Sequence, residues 1–146
     1  LNLNEWYGFA GLLILVAWQQ IGYMMIIYIA GLQAIPGDVM EAAAIDGATG
    51  PQRLFRVTIP MMMPSITICT FLTVVNGFKL FDQNLSLTAG EPAKMSEMLA
   101  LNIYYTFYGR TGWEGVGQAK AVIFFVLVVI IGMFQLKATQ SKEVQQ

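Results

Sequence analysis

The charges in this chain are spaced as a membrane would demand. None falls between Glu5 and Asp38, between Arg56 and Lys79, or between Lys120 and Lys137. A helix needs about 20 apolar residues to cross a hydrocarbon layer of about 30 Å, because each residue rises only about 1.5 Å. Phe9–Leu32 and Met61–Phe81 meet that length directly. Val116–Leu136 meets it if Gln118 and Lys120 sit at headgroup level, where a lysine can snorkel. The expected fold class is therefore all-α integral membrane, with three transmembrane helices. Composition agrees: 12% of the 146 residues are charged, against about 25% in ordinary soluble domains. A net charge of −1 provides no basic field for nucleic acid.

These spans divide the chain into a first helix (9–32), a loop (33–60), a second helix (61–81), a second loop (82–115), a third helix (116–136) and a polar tail (137–146). The chain starts with Leu, and no basic residue precedes the first apolar run. Three helices are few for enclosing a path, so upstream helices or partner subunits are expected. There is no His, and Cys69 is the single cysteine, which rules out an internal disulfide and a His/Cys metal cluster. Cys69 reads as a small packing residue. Lys and Arg number four on either side (Arg53, Arg56, Lys137 and Lys142 against Lys79, Lys94, Arg110 and Lys120), so charge leaves the topology open.

The loop "IPGDVMEAAAIDGATGPQRLFRVTIPMMMP" (Ile35 to Pro64) carries five charges between two greasy runs. Ile35-Pro36-Gly37 stops the first helix. Asp38 with Glu41 has the spacing of a capping box for a short helix that ends at Gly47, a residue suited to positive φ. Thr49 with Gln52 repeats the box and opens a second helix, which Pro60 closes; Pro64 suits the first turn of the next span. Ala42, Ala43 and Ala44 leave a face with almost no side-chain bulk, and Arg53 and Arg56 are three apart on the second helix. On spacing alone, this is either a surface made for close docking or a capped connector packed on its own helices.

The same residues carry a resemblance. "EAAAIDGATGPQRLFRVTIPMMMP" resembles the EAA motif of the membrane subunits of bacterial ABC importers, through Glu41-Ala42-Ala43, Gly47 and Ile59-Pro60. Ile45-Asp46-Gly47-Ala48, Gln52, Phe55 and the two prolines look like the maltose-type carbohydrate branch. "WQQIGYMMIIYIAGLQAIP", "FKLFDQNLSLTAGEP" and "QLKATQSKEV" are similar to that branch too, so the resemblance covers essentially the whole chain. The chain departs from the branch pattern at Gly90-Glu91-Pro92, where Gly-Gly-Pro is commoner. The resemblance implies the C-terminal half of a permease in the cytoplasmic membrane of a bacterium. The loop would be a cytoplasmic coupling helix seated in a separate ATPase, through Glu41, Ala42, Ala43, Asp46, Gly47, Gln52 and Pro60. The implied partners are that ATPase, a second permease subunit, an extracytoplasmic solute-binding protein, a sugar substrate and the lipid bilayer. ATP and Mg²⁺ would belong to the ATPase. No G-x-x-x-x-G-K-[ST] phosphate loop occurs in this chain, which agrees with that division of labour.

Polar groups within spans are expensive and are functional candidates by default. Gln19, Gln20 and Tyr23 form one stripe midway along the first span, flanked by Trp18 and Tyr28. Thr67, Thr70, Thr73, Asn76 and Lys79 recur every three residues along the second. Amides both donate and accept hydrogen bonds, which suits sugar hydroxyls, and the resemblance also places substrate contacts near Gln20, Tyr23 and Asn76. The competing reading makes the amides interhelical glue and has the threonines bonding to their own helix. Lys79 and Asp82 are expected to form an interfacial ion pair. "MLALNIYYTFY" is too short to be a fourth span, and Tyr104, Tyr105, Tyr108 and Trp113 read as an interfacial aromatic belt.

A sugar-importing permease subunit, without enzymatic activity of its own, is the expectation. The alternatives are an importer of another solute (amino acid, polyamine or glycerol phosphate), a scaffold subunit without solute contacts, and a membrane enzyme using Lys79, Asp82 and Glu41. The last requires Glu41 and Asp82 to share one side of the membrane, which the three-span reading forbids.

Overall fold

The computed structural model describes residues 5–141, and every regular element over them is helical. In chain order these are α1 (Glu5–Gln33), α2 (Gly37–Ile45), α3 (Gly50–Arg53), a π-helical turn (Leu54–Thr58), α4 (Ile59–Met61), α5 (Met63–Phe78), α6 (Asp82–Leu87), α7 (Leu99–Tyr108) and α8 (Glu114–Gln140). Two helices, Trp6–Gln33 and Glu114–Gln140, are long and apolar enough to cross a membrane. Both overrun the expected spans at each end.

The middle span differs from expectation. α5 has 16 residues, or roughly 24 Å at 1.5 Å per residue, less than the hydrocarbon thickness. It is one arm of a helix pair, Gly50–Met61 and Met63–Phe78, bent by 67° at Met62. Counted as one broken span, the pair brings the number of crossings to three. The bend has a local cause: Pro60 and Pro64 remove two backbone donors, and between them Met62 sits at φ −84°, ψ −1°.

Pro60 does not close the second loop helix, as its sequence position suggested. The chain stays helical through Met61 by widening beforehand: the Ile59 N–H bonds the Leu54 carbonyl, five residues back. A wider turn relieves the clash between the proline ring and the carbonyl four residues earlier.

The described chain clusters into two compact units. One combines the residues up to Ile21 with Thr73–Gly132; the other combines Gly22–Leu72 with the chain from Met133 onward. In the first, Leu12 and Leu101 are buried; in the second, Met24 and Cys69. These four are the buried hydrophobic side chains among the described residues, while Ile14, Trp18, Phe125 and Phe134 lie open. Apolar side chains facing outward are what lipid or neighbouring helices would cover. Within the second unit α1 and α5 meet at Gly31, where a Cβ would collide with the Ser65 side chain.

In the first unit the segment between α6 and α7 is organised around Asn84, which is fully buried. Its Nδ2 donates to Thr88 Oγ1 (2.9 Å) and to the Ser96 carbonyl (2.7 Å), and its Oδ1 accepts from the Met98 N–H (2.8 Å). Ala89, Ala93 and Lys94 take positive φ in this segment, a costly conformation that persists only where surrounding bonds over-determine it.

Three further expectations are corrected. Lys120 does not snorkel to a headgroup: its Nζ donates to Asn102 Oδ1 and Thr106 Oγ1 of α7, each at 2.8 Å. Asn102 and Thr106 are four apart on α7, so two acceptors stack on one face and make a ready cradle. Lys79 and Asp82 do not share a helix, because α5 ends at Phe78 and Asp82 opens α6, so their three-residue spacing does not juxtapose them. The tail expected from residue 137 is helical as far as Gln140. Residues 142–146 of that tail lie outside the described residues.

Candidate functional site

The punctuated loop lies within the second unit. Its first helix, α2, has no buried residue. The expected capping box of Asp38 and Glu41 does not form. Pro36, at φ −61° and ψ 135°, takes the N-cap position, the Val39 N–H bonds the Pro36 carbonyl at 3.2 Å, and no side chain caps the end. Proline's fixed φ is already set for that position, so the helix starts two residues earlier than the acidic pair requires. Asp38 stays in the first turn, where a negative charge suits the helix dipole. Glu41 is left exposed, its carboxylate not needed by the cap.

At the other end of α2 the sequence reading holds. Gly47 adopts φ +78°, its N–H bonds the Ala44 carbonyl and the Ala48 N–H bonds the Ala43 carbonyl, both at 3.1 Å. This is the Schellman arrangement, which consumes the last carbonyls of the helix. Two residues after Gly47 the second box closes: the Thr49 side chain accepts from the Gln52 backbone, while the Thr49 N–H donates to Gln52 Oε1 at 2.9 Å. Two terminations back to back fix the path of the chain from Ala43 to Arg53 without a hydrophobic core.

Glu41, Ala42, Asp46, Gly47 and Gln52 are all exposed, while Ala43 and Pro60 are half-buried. Two large apolar side chains stand out beside them: Ile45 is 86% exposed and Phe55 67%. Small alanines, a bare glycine and projecting apolar knobs make a surface another protein can approach closely, rimmed by the Glu41 and Asp46 carboxylates. One anchor runs the other way: Thr58, buried, places its hydroxyl 4.0 Å from the Met40 sulfur and so ties the π turn to α2.

The polar candidates of the spans are distributed over both units. Gln19, Gln20 and Asn76 fall in the first and Tyr23 in the second. Gln19 Oε1 accepts from Gln83 Nε2 at 3.0 Å, an interhelical bond from α6 to α1. Gln20 and Asn76 are half-buried, and Tyr23 is exposed on α1. Thr67 and Thr70 bond back to the carbonyls of Met63 (2.9 Å) and Ile66 (2.7 Å). Their hydroxyls are thus occupied within α5, whereas the Asn76 amide remains available.

Two features were invisible to sequence reasoning. Asn84 lacks any local signature, since its partners lie 4, 12 and 14 residues away. Glu97 Oε1 accepts from Asn102 Nδ2 at 2.6 Å, and Asn102 in turn accepts from Lys120, so a carboxylate and an ammonium are joined through an amide. The apolar run around Lys120 suggested a lipid-facing lysine, and only its packing against α7 shows otherwise.

Comparison with known proteins gives a consistent result. The family described as "Binding-protein-dependent transport system inner membrane component" matches residues 2–142. The chain is 49% identical, over 94% of its length, to the Probable starch degradation products transport system permease protein AmyD of Thermoanaerobacterium thermosulfurigenes, covering 47% of that protein. It is 35% identical, over 87% of its length, to the multiple sugar-binding transport system permease protein MsmF of Streptococcus mutans, covering 43% of it. It is also 35% identical, over 86% of its length, to the sn-glycerol-3-phosphate transport system permease protein UgpA of Agrobacterium fabrum, covering 43%. The chain spans about half the length of these relatives.

Proposed function

Because the chain belongs to the family of binding-protein-dependent transport system inner membrane components, we propose that it forms part of the permease of an ATP-driven sugar importer. The observation that carries this is the α2–α3 loop: doubly terminated, without a buried residue in α2, and open at Ile45 and Phe55. A rigid protrusion of this kind transmits a push from a partner without deforming. In the proposed topology the loop 33–60 and the chain from residue 137 lie on the cytoplasmic side, and residues 82–115 on the outer side. An ATPase subunit takes the loop into a groove, with Ala42, Ala43 and Gly47 permitting close approach, Glu41 and Asp46 as polar anchors, and Gln52 and Pro60 setting the exit of the chain. ATP and Mg²⁺ reside in that partner. A second permease subunit and an extracytoplasmic binding protein complete the assembly.

Gln20, Tyr23 and Asn76 are the proposed sugar contacts, amides and a phenol offering donors and acceptors to hydroxyls. Gln19, held by Gln83, positions this stripe rather than reading the sugar. The UgpA relatives point to a phosphorylated solute instead. Against that, no Lys or Arg lies between Glu5 and Asp38 or between Arg56 and Lys79, so these stretches offer no cation to a phosphate.

The test is crosslinking from Ala42→Cys in a Cys69→Ser background, in membranes containing the ATPase. A crosslink to the ATPase whose yield changes with nucleotide is expected. A thiol that labels freely from the cytoplasm but never reaches the ATPase would defeat the docking assignment.

A further inference from the structure

α7 and α8 of the first unit meet at one tight point and part beside it. At Gly117, buried on α8, a Cβ would lie 2.8 Å from Phe107 Cβ and 2.9 Å from its Cα, so only glycine allows this approach. The Lys120 bonds to Asn102 and Thr106 fasten the same two helices. Next to this fixed contact lies an open cleft of about 440 Å³, walled by Phe81, Tyr104, Phe107, Tyr108 and Gln118. Tyr104, Phe107 and Tyr108 stand at i, i+3 and i+4 on α7 and so share a face. The rings form a continuous wall: Phe81 to Tyr104 at 5.2 Å, Tyr104 to Tyr108 at 4.9 Å and Phe107 to Tyr108 at 4.8 Å between centroids.

We propose that this cleft is an accessory carbohydrate subsite, distinct from the Gln20, Tyr23 and Asn76 contacts, that takes one sugar unit of a short oligosaccharide. The proposal rests on the sugar-importer reading above, and in that topology the cleft lies between the α7 part of the outer loop and the outer end of the third span, where Gln118 stands. Its lining is mostly apolar, with Ala100, Ile103, Ala121 and Phe124 beside the rings, so the few polar groups on it are what separate a sugar from an acyl chain. Aromatic faces cover the apolar C–H face of a pyranose ring, and a small number of polar groups then fix its orientation. Those groups are present: the Tyr105 hydroxyl is committed to the Ala89 carbonyl at 3.3 Å, whereas the Tyr104 and Tyr108 hydroxyls and the Gln118 amide are uncommitted within the described residues. An acyl chain would use none of the three. A cleft held open by a glycine contact and a lysine clasp is also ready-formed, so little ordering entropy opposes binding.

The experiment uses the complete transporter in its own membrane, with maltotriose, a short linear starch fragment, as probe. Tyr108→Ala and Tyr104→Ala are expected to raise KM for maltotriose uptake roughly five- to tenfold with Vmax little changed, the scale of losing one packed ring. Tyr108→Phe keeps the ring and should recover most of that loss. In a Cys69→Ser background, maltotriose should slow maleimide labelling of Gln118→Cys. Unchanged KM together with no protection overturns the subsite, as does a Gln118→Cys thiol inaccessible even without sugar, which would mean that lipid or another helix fills the cleft. If Asn76→Ala abolishes uptake while Tyr108→Ala changes nothing, the subsite falls alone. If the unaltered transporter takes up no sugar, the sugar reading and the subsite fall together.

Discussion

Replacing Asn84 tests whether the loop between α6 and α7 is held by one amide. The side chain is wholly buried and makes three hydrogen bonds of 2.7–2.9 Å, to Thr88, Ser96 and Met98. Asn84→Ala deletes all three and leaves the Met98 N–H and the Ser96 carbonyl without their partner. A net hydrogen bond contributes about 1 kcal/mol and an orphaned buried group costs about 1–3 kcal/mol, so the loss comes to roughly 3–4 kcal/mol. Read locally, that raises amide exchange at Met98 and Ala89 by a few hundredfold, at 1.4 kcal/mol per factor of ten. The sharper variant is Asn84→Asp. It keeps the acceptor for the Met98 N–H but turns a donor into a second acceptor facing the Ser96 carbonyl, so it should be at least as damaging as alanine despite its near-identical shape. Hydrogen exchange on the detergent-solubilised chain, with membrane insertion checked in parallel, reads the order. If Asn84→Asp exchanges like the unaltered chain, the donor bonds do not hold the loop and the account is wrong.

Other substitutions probe the loop and the helix contacts. Gly47→Val should cost about 1–2 kcal/mol or more from the positive φ alone, since open space surrounds the site, while Gly47→Asn should be far milder; comparable exchange rates at Ala48 in both would contradict this. Lys120→Met leaves Asn102 and Thr106 without their charged partner and should loosen α7, read as faster labelling of a cysteine introduced at Leu99, whereas Lys120→Arg should partly rescue it. Gly31→Leu drives a side chain into Ser65 and should cut the amount of folded protein, with Gly31→Leu/Ser65→Gly recovering part; no recovery would place the clash elsewhere.

The legible parts of this molecule are those whose causes are local. Gly47 and the Thr49–Gln52 box each involve residues within five positions of one another, and the structure places them as the residue types require. Asp38 misled for a related reason: it had the right spacing, but Pro36 two residues earlier was better suited to cap the helix. The helical class followed from charge-free apolar runs of about 20 residues, which satisfy their backbone in hydrocarbon as helices, whereas barrel strands are shorter and alternate. What could not be read depends on distant partners. Lys120 reaches residues 14 and 18 positions back, and Asn84 closes a loop of 14 residues. The cleft on α7 was visible in the sequence only as a cluster of aromatic residues, because the close approach of Gly117 to Phe107 beside it joins residues ten positions apart on two different helices.

The widened turn before Pro60 bears on how this chain tolerates changes of length. A π turn holds one residue more than an α turn, so the segment Leu54–Thr58 stores a phase offset of roughly 100° between the α2–α3 loop and α5. Removing one residue there would cancel the offset but bring the Pro60 ring against a carbonyl that the wide turn now keeps clear. Replacing Pro60 alone would leave the offset with no proline to require it. Insertion and proline therefore form a matched pair, and changing both together yields a plain helix in which the loop is turned by that offset relative to α5.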